Sequence, residues 1–278
     1  MRINIVTNTF GNSNRQEIAI DSWIYLKKIY PDLISIYDLQ FIDNPVADWR
    51  EDIITKNILE ESSQTILNKS SKRLPLVSEI LEKSIHLSEL DDYIIFLNSD
   101  IILMPNIIEY IIKNKPNAMS SSRMDIADIK DFSFVLNKNI TPIRYECFGS
   151  DVFVFSKKWL MDGHKELFSN RYFYGSWRWD NVWTAWIKLF NPTQPLGVYF
   201  APYAFHIHHG LASVMKDYPE KDHNQKLLDS SFQDRLAFSI YSNYLNKFML
   251  QRLDAPRFLQ LAPNELEKEI EYFNSFKI

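Results

Sequence analysis

Asn98-Ser99-Asp100 follows directly on the apolar run Tyr93-Ile94-Ile95-Phe96-Leu97. The run is short and rich in β-branched and aromatic residues, which predicts a strand buried on both faces. Such a strand delivers the polar residues after it to the carboxyl edge of a sheet, where open α/β folds bind ligands. A carboxylate fixed there, Asp100, can hold a divalent cation, and the cation can neutralise a diphosphate. Asn98 and Ser99 add neutral hydrogen-bonding groups beside it.

Three other segments carry residue types suited to the same chemistry. Trp177-Arg178-Trp179-Asp180-Asn181-Val182-Trp183 sets a carboxylate among indoles. An aromatic wall can stack on a sugar, and an enclosed Asp can serve as a base. Asp180 is therefore either a base or an N-cap, a role Asp also performs well. Trp183 and Trp186 read as the buried side of a helix. His206-Ile207-His208-His209-Gly210 follows an aromatic stretch. If Tyr203 to His208 is a strand, period 2 puts His206 and His208 on one face and His209 on the other. Imidazole ligates first-row divalent metals, including manganese, which makes His208 and His206 metal or phosphate ligands. The metallo-hydrolase pattern His-x-His-x-Asp-His is not met, because Gly210 and Leu211 stand at its last positions. Phe148-Gly149-Ser150-Asp151 leads a strand over Asp151 to Phe155, and is either an ordinary turn into a core strand or a place where Asp151 hydrogen-bonds acceptor hydroxyls and stands second to Asp180 as the catalytic carboxylate. The basic candidates for holding phosphate are Arg73, with Lys72 before it, and Arg123.

The elements that must position these residues are read from periodicity. Ile3 to Val6 is a strand ending at Thr7-Asn8. Gln16 to Ile29 has helical spacing, stopped by Pro31. Leu33 to Tyr37 is the next strand, with Asp38 at its carboxyl end. Trp49 to Leu67 and Leu76 to Leu87 read as helices, and Pro105 opens a helix through Lys113. Ala118 to Ser121 is a weak strand, Phe132 to Arg144 extended or loop, and Trp177 to Leu189 helical. Gly197 to His208 contains a strand. After about Asp217 the chain becomes helical and polar, ending in an amphipathic stretch from Pro263 to Phe276. This predicts a doubly wound α/β domain over residues 1–216 and a helical extension over residues 217–278.

Composition bounds the rest. With 46% hydrophobic and 14% aromatic residues in 278, there is ample material for a large core. A net charge of −4 gives no electrostatic reason to expect a nucleic-acid partner. The single cysteine, Cys147, excludes an intrachain disulfide and is compatible with a reducing, cytoplasmic setting. No segment reaches the roughly 18 apolar residues that span a bilayer, and the first ten residues carry too short an apolar run for a signal peptide. The expectation is a soluble protein whose membrane contact, if any, is peripheral.

In combination, these pieces resemble the nucleotide-sugar-dependent glycosyltransferases of the GT-A fold. The stretch Tyr-Ile-Ile-Phe-Leu-Asn-Ser-Asp-Ile-Ile-Leu resembles their "DxD" segment, with Asn98 where the first Asp would stand. Gly149-Ser150-Asp151, then Trp179-Asp180-Asn181, then the late histidines follow in the order of acceptor-side strand, catalytic helix and last metal ligand. The resemblance covers residues 1–215. It implies a Rossmann-like mixed sheet flanked by helices and a nucleotide-diphosphate sugar donor, with Mn2+ or Mg2+. It makes Asp100 and His208 metal ligands and Asn98 a contact to the donor's ribose or sugar. Thr7 and Asp38 would hold the nucleotide, and Asp180 would be the base of an inverting enzyme. Trp179 stands where an adjacent Glu is common. The implied activity is hexosyl or pentosyl transfer to a hydroxyl, most naturally on a glycan. The alternatives are a nucleotidyltransferase on a related fold and a non-catalytic carbohydrate-binding protein. The first is disfavoured because Thr9 to Arg15 holds one Gly and one Arg rather than a Gly-rich basic loop.

Overall fold

The computed structural model of the chain describes residues 1–10, 13–45, 50–68, 70–121, 123–146, 150–191, 203–209 and 218–249. Its main sheet begins with β1 (Ile3–Thr7), helix α1 (Asn14–Ile29), β2 (Ile34–Phe41) and β3 (Ile54–Leu59). Two helices follow, α2 (Ser63–Leu67) and α3 (Val77–Leu87), and then β4 (Tyr93–Leu97). A short β5 (Ile101–Leu103), α4 (Pro105–Asn114), β6 (Ala118–Ser121) and β7 (Arg123–Ile126) come next. After α5 (Ser133–Leu136), β8 (Pro142–Glu146), β9 (Val152–Ser156) and the turn α6 (Lys157–Trp159), the chain reaches α7 (Trp179–Phe190). It continues through β10 (Ala204–Ile207), α8 (Pro219–Ser230) and α9 (Phe232–Met249).

Six strands form the main sheet in the order β3-β2-β1-β4-β9-β6. The first four are mutually parallel, and β9 runs antiparallel to both β4 and β6. This is the mixed, helix-flanked sheet expected from the sequence. Each strand sends alternate residues to opposite faces. Ile3, Ile5, Ile95 and Leu97 pack with Trp23 and the helices α1 and α4 on one face. Val6, Ile94, Phe96 and Phe153 pack with α3, Trp179 and Trp183 on the other. The second sheet, β5-β10-β7-β8, lies on the first of these faces and carries the late histidines.

Two local expectations change. Trp49 to Leu67 is not one helix: its described part is the edge strand β3 followed by α2. Ile53, Ile54, Ile58 and Leu59 have spacings that either element accepts. The helix start is set by a capping box at Ser62 and Thr65, whose side chains reciprocally bond each other's backbone amides. Within Phe132 to Arg144, expected to be extended or loop, one helical turn (α5) forms, and the start of β8 is extended. The expected domain boundary at residue 216 and the amphipathic stretch Pro263 to Phe276 lie outside the described residues. No helix among the described residues is long and apolar enough to cross a membrane.

Helices α8 and α9 grip the segment that leads into α7. The Asn224 side chain, fully buried, accepts from the Phe173 amide at 2.9 Å and donates to the Phe173 and Trp177 carbonyls at 3.2 and 2.8 Å. Asp234 on α9 accepts from the Tyr172 hydroxyl at 2.8 Å and the Trp186 indole at 2.9 Å.

Candidate active site

The strand order reverses between β1 and β4, so their carboxyl ends border the crevice where such sheets bind ligands. Thr7 sits at that point and donates its hydroxyl to the Leu97 carbonyl at 3.0 Å, as does Tyr174 at 3.0 Å. Asn98-Ser99-Asp100 then forms a tight link between β4 and β5, closed by an Ile101 amide to Asn98 carbonyl bond of 3.2 Å. The far side of this link is pinned to α1 by the Trp23 indole, which donates to the Ile101 carbonyl at 2.9 Å. The Asp100 carboxylate thereby comes to the crevice in a fixed place.

Two imidazoles meet it there. His206 Nε2 lies 3.3 Å and His209 Nε2 3.5 Å from Asp100 Oδ2. One ligand atom from each of these three residues falls within 4.8 Å of the others. His206 Nδ1 is 2.9 Å from Asp125 Oδ1. A carboxylate on Nδ1 orients the ring and leaves Nε2 as the ligating atom, the usual support of a metal-bound histidine. Burial would raise the Asp100 carboxyl, but bonds from His206 and His209 and the charge of Arg123 hold it far below the ordinary range. Burial would likewise lower His206, while Asp100 and Asp125 together raise it.

His209 thus stands where His208 was expected. Period 2 does put His206 and His208 on a common side, since His208 Nδ1 lies 3.4 Å from Asp125 Oδ2. The strand, however, ends at Ile207, and the turn beyond it carries His209 round to Asp100. The donor set of two imidazoles and one carboxylate suits a borderline first-row cation such as Mn2+. Mg2+, which favours oxygen ligands in a near-ideal octahedron, is served less well.

Asp125 is fully buried, and nothing in the sequence around it points to a site. It is the hub of the site, taking His206, His208 and the Arg123 Nε at 2.9 Å. The other side of the Arg123 guanidinium is paired with Asp151, and Asp151 also accepts the Asn98 side-chain amide. Arg123 is therefore committed to two carboxylates, which hold it above its ordinary range despite burial. Asn98 Oδ1 is buried with no hydrogen-bond partner among the described residues.

Asp180 enters from the first turn of α7. The helix cap is Arg178, whose φ of 83° is a left-handed value that a long side chain rarely adopts. Gly175 upstream has φ 71°, a value that favours glycine. Such strain costs about 1–3 kcal/mol and persists only where the surroundings enforce it; here Asn224 and the packing of Trp179 do so. Burial, reinforced by the negative charge of Asp151, pushes the half-buried Asp180 carboxyl up to about 7; Arg123 and the first-turn amides oppose this only in part. A carboxylate with that value exchanges a proton near neutrality.

Two other expected residues stand apart from this group. Asp38 is buried and spends its oxygens on the Thr9 amide at 2.9 Å, the Thr9 hydroxyl at 2.6 Å and the Gln40 amide at 3.0 Å, so it holds the loop after β1. Arg73 pairs with Asp43 and lies 4.2 Å over the Phe41 ring, and none of its described contacts reaches Asp100. Ser99 is buried within the link after β4. Gly149 lies outside the described residues.

No family model and no curated relative matches the sequence. Among solved structures, the chain is similar to glucosyl-3-phosphoglycerate synthase from Mycobacterium tuberculosis, in complex with Mg2+ and uridine diphosphate. That likeness has a TM-score of 0.40 at 12% identity, over 82% of this chain and 78% of that one. The galactosyltransferase LgtC, in complex with donor and acceptor sugar analogues, gives 0.34 at 11% identity over 82% and 96%. A 4-diphosphocytidyl-2C-methyl-D-erythritol synthase gives 0.36 at 9% identity over 82% and 98%. Likeness at this level identifies neither a substrate nor a mechanism.

Proposed function

We propose that the protein is a metal-assisted glycosyltransferase that moves a sugar from a nucleotide-diphosphate donor to a hydroxyl, most naturally on a glycan. What supports this reading is the convergence of three side chains that could hold a cation, Asp100, His206 and His209, near Arg123, with the Asp180 carboxyl raised by burial and by Asp151 of the same charged group. A diphosphate leaving group needs positive charge, and a hydroxyl nucleophile needs a base. A bound Mn2+ would supply charge stabilisation to the departing diphosphate.

The chain's own residues do the rest. Thr7, Asn98 and Ser99 lie at the carboxyl ends of β1 and β4, the edge where the nucleotide and its sugar would bind. Asp180 takes the proton of the acceptor hydroxyl as that oxygen attacks the anomeric carbon, which gives inversion at that centre. Asp151, tied to Arg123 and Asn98, positions these groups and keeps a negative charge facing Asp180. Asp125 orients His206.

The test is a thermal-shift screen of nucleotide sugars with and without Mn2+, since a bound ligand raises stability by mass action. The reading expects at least one nucleoside diphosphate sugar to stabilise the protein, and more so with Mn2+. Stabilisation by none of the panel, or by none that depends on the metal, would overturn it.

A further inference from the structure

Two side chains in the first turn of α1 carry donors that nothing else in the fold takes up. Gln16 is only 4% exposed, and its Nε2 is buried without a hydrogen-bond partner. Its neighbour Arg15 is half-buried, with Nε equally enclosed and unpartnered. Among the described residues the Arg15 guanidinium meets no carboxylate, carbonyl or ring. A buried donor left without a bond costs free energy, so nearly all such groups in native proteins are paired. Two exceptions at consecutive positions, one of them a cation, mark the place of an anion.

The backbone of the same turn adds to the set. The Ser13 hydroxyl accepts from the Gln16 amide at 3.3 Å, and the Ser13 carbonyl from the Glu17 amide at 3.1 Å. The amides of Asn14 and Arg15 take no partner among the described residues, and they stand at the positive end of a 16-residue helix. Glu17, the acid of this turn, is paired with Arg50. A helical side chain tilts toward the N-terminus of its helix, which turns Gln16 Nε2 back toward the open amides.

The place of this turn matters as much as its donors. β1 and β2 are parallel, so α1 between them runs back along the sheet and begins at its carboxyl edge. Gln16 precedes Trp23 by two helical turns and shares its face. Trp23 donates to the Ile101 carbonyl, directly after Asp100, at 2.9 Å. The open donors therefore lie at the crevice end of α1, on the face turned to the Asp100 link.

A guanidinium, a side-chain amide and two backbone amides outnumber the two oxygens of a carboxylate and match a phosphate. We propose that the start of α1 is a phosphate-binding site formed by Arg15, the Gln16 amide and the Asn14 and Arg15 backbone N–H groups, and that it takes its ligand without a metal ion. The site itself does not depend on the glycosyl-transfer reading. The source of its ligand does: it is either the donor's own diphosphate or a phosphorylated acceptor.

The experiment is calorimetric titration of the full chain with inorganic phosphate, in EDTA and at constant ionic strength, with chloride as the control. Uridine, guanosine and cytidine diphosphates plus Mn2+ are titrated in parallel. Phosphate is expected to bind saturably, and Arg15→Gln to weaken it at least tenfold, the loss of a charge-assisted contact. Gln16→Leu should weaken it to a similar degree and, in phosphate-free buffer, melt no lower than wild type, because it removes an unpaired buried amide. No saturable binding, undiminished binding in Arg15→Gln, or a Gln16→Leu protein that melts well below wild type would overturn the proposal. Competition assigns the source. Phosphate displaced by a bound nucleoside diphosphate marks the donor's diphosphate, and phosphate bound beside it marks an acceptor. Nucleotide binding alone would reject this site and leave glycosyl transfer standing. Phosphate binding without nucleotide binding would keep the site and reject transfer.

Discussion

Asp180→Asn separates a proton acceptor from a helix-start residue, because the amide keeps the shape and loses the charge. The Asp180 carboxyl is moved from an ordinary 3.8 to about 7 by burial and by Asp151. A folded-state value above the unfolded one means that the group favours the folded state fully below about pH 3.8. That contribution is lost as pH rises through 7. The interval corresponds to ~4 kcal/mol at most, reduced to about 1–3 kcal/mol by solvent reaching a half-buried group. Asn carries no such penalty. Asp180→Asn should therefore melt several degrees higher than wild type at pH 8, with the gain shrinking as pH falls toward 4. Turnover should move the other way. The wild-type kcat/KM should climb with pH to a plateau above about 7, and the variant should lose about 10²–10⁴-fold in kcat with that limb gone. The assays are calorimetric melting across pH and a steady-state rate profile on the donor found by screening. Near-native turnover in a folded Asp180→Asn protein would refute the base, and a pH-independent difference in melting would refute the raised carboxyl.

Three further outcomes follow from the same geometry. His209→Ala should weaken Mn2+ binding at least tenfold and His208→Ala much less, because of these two only His209 lies against Asp100, while His208 lies against Asp125; equal effects in a metal titration would contradict the ligand set. Asp125→Asn should destabilise the fold by about 3–5 kcal/mol, since it leaves Arg123 and two histidines around a neutral buried group; denaturant unfolding reads this directly. Asn224→Ala should cost about 2–4 kcal/mol by removing three bonds to the backbone, two of them buried, and should lower kcat while donor affinity holds. An Asn224→Ala protein with unchanged kcat would show that the turn before α7 needs no clamp.

Much of the main sheet could be read from the chain because its strands are buried on both faces. Tyr93 to Leu97 and Val152 to Phe155 are apolar without interruption, and no helix-like spacing competes. Trp49 to Leu67 misled for the opposite reason: β3 is an edge strand, so its outward polar residues break the apolar run and leave Ile and Leu spacings that mimic a helix. The position of Asp100 was legible because it follows directly on a buried strand. His209 was not, since a side chain beyond a strand end points where the turn sends it, and period 2 stops at Ile207. Asp125 was invisible for a related reason. Nothing in the local sequence marks it until the second sheet brings His206 and His208 beside it from the β10 segment, next to Arg123 of its own strand. The raised carboxyl at Asp180 needed the burial, not the residue type. Of its neighbours, the left-handed Arg178 carries no signal in a sequence with so few glycines.

The most direct measurement incubates the full chain with the donor that best stabilises it, an acceptor sugar and Mn2+, and identifies the phosphorus-containing product by 31P nuclear magnetic resonance. Glycosyl transfer predicts that a nucleoside diphosphate accumulates in step with a glycosylated acceptor, and that removal of Mn2+ or Asp100→Ala abolishes both. Release of a sugar phosphate or a nucleoside monophosphate in place of the diphosphate would instead mark attack at phosphorus, and an unconsumed donor that stays bound would mark a binding protein; either would contradict the account.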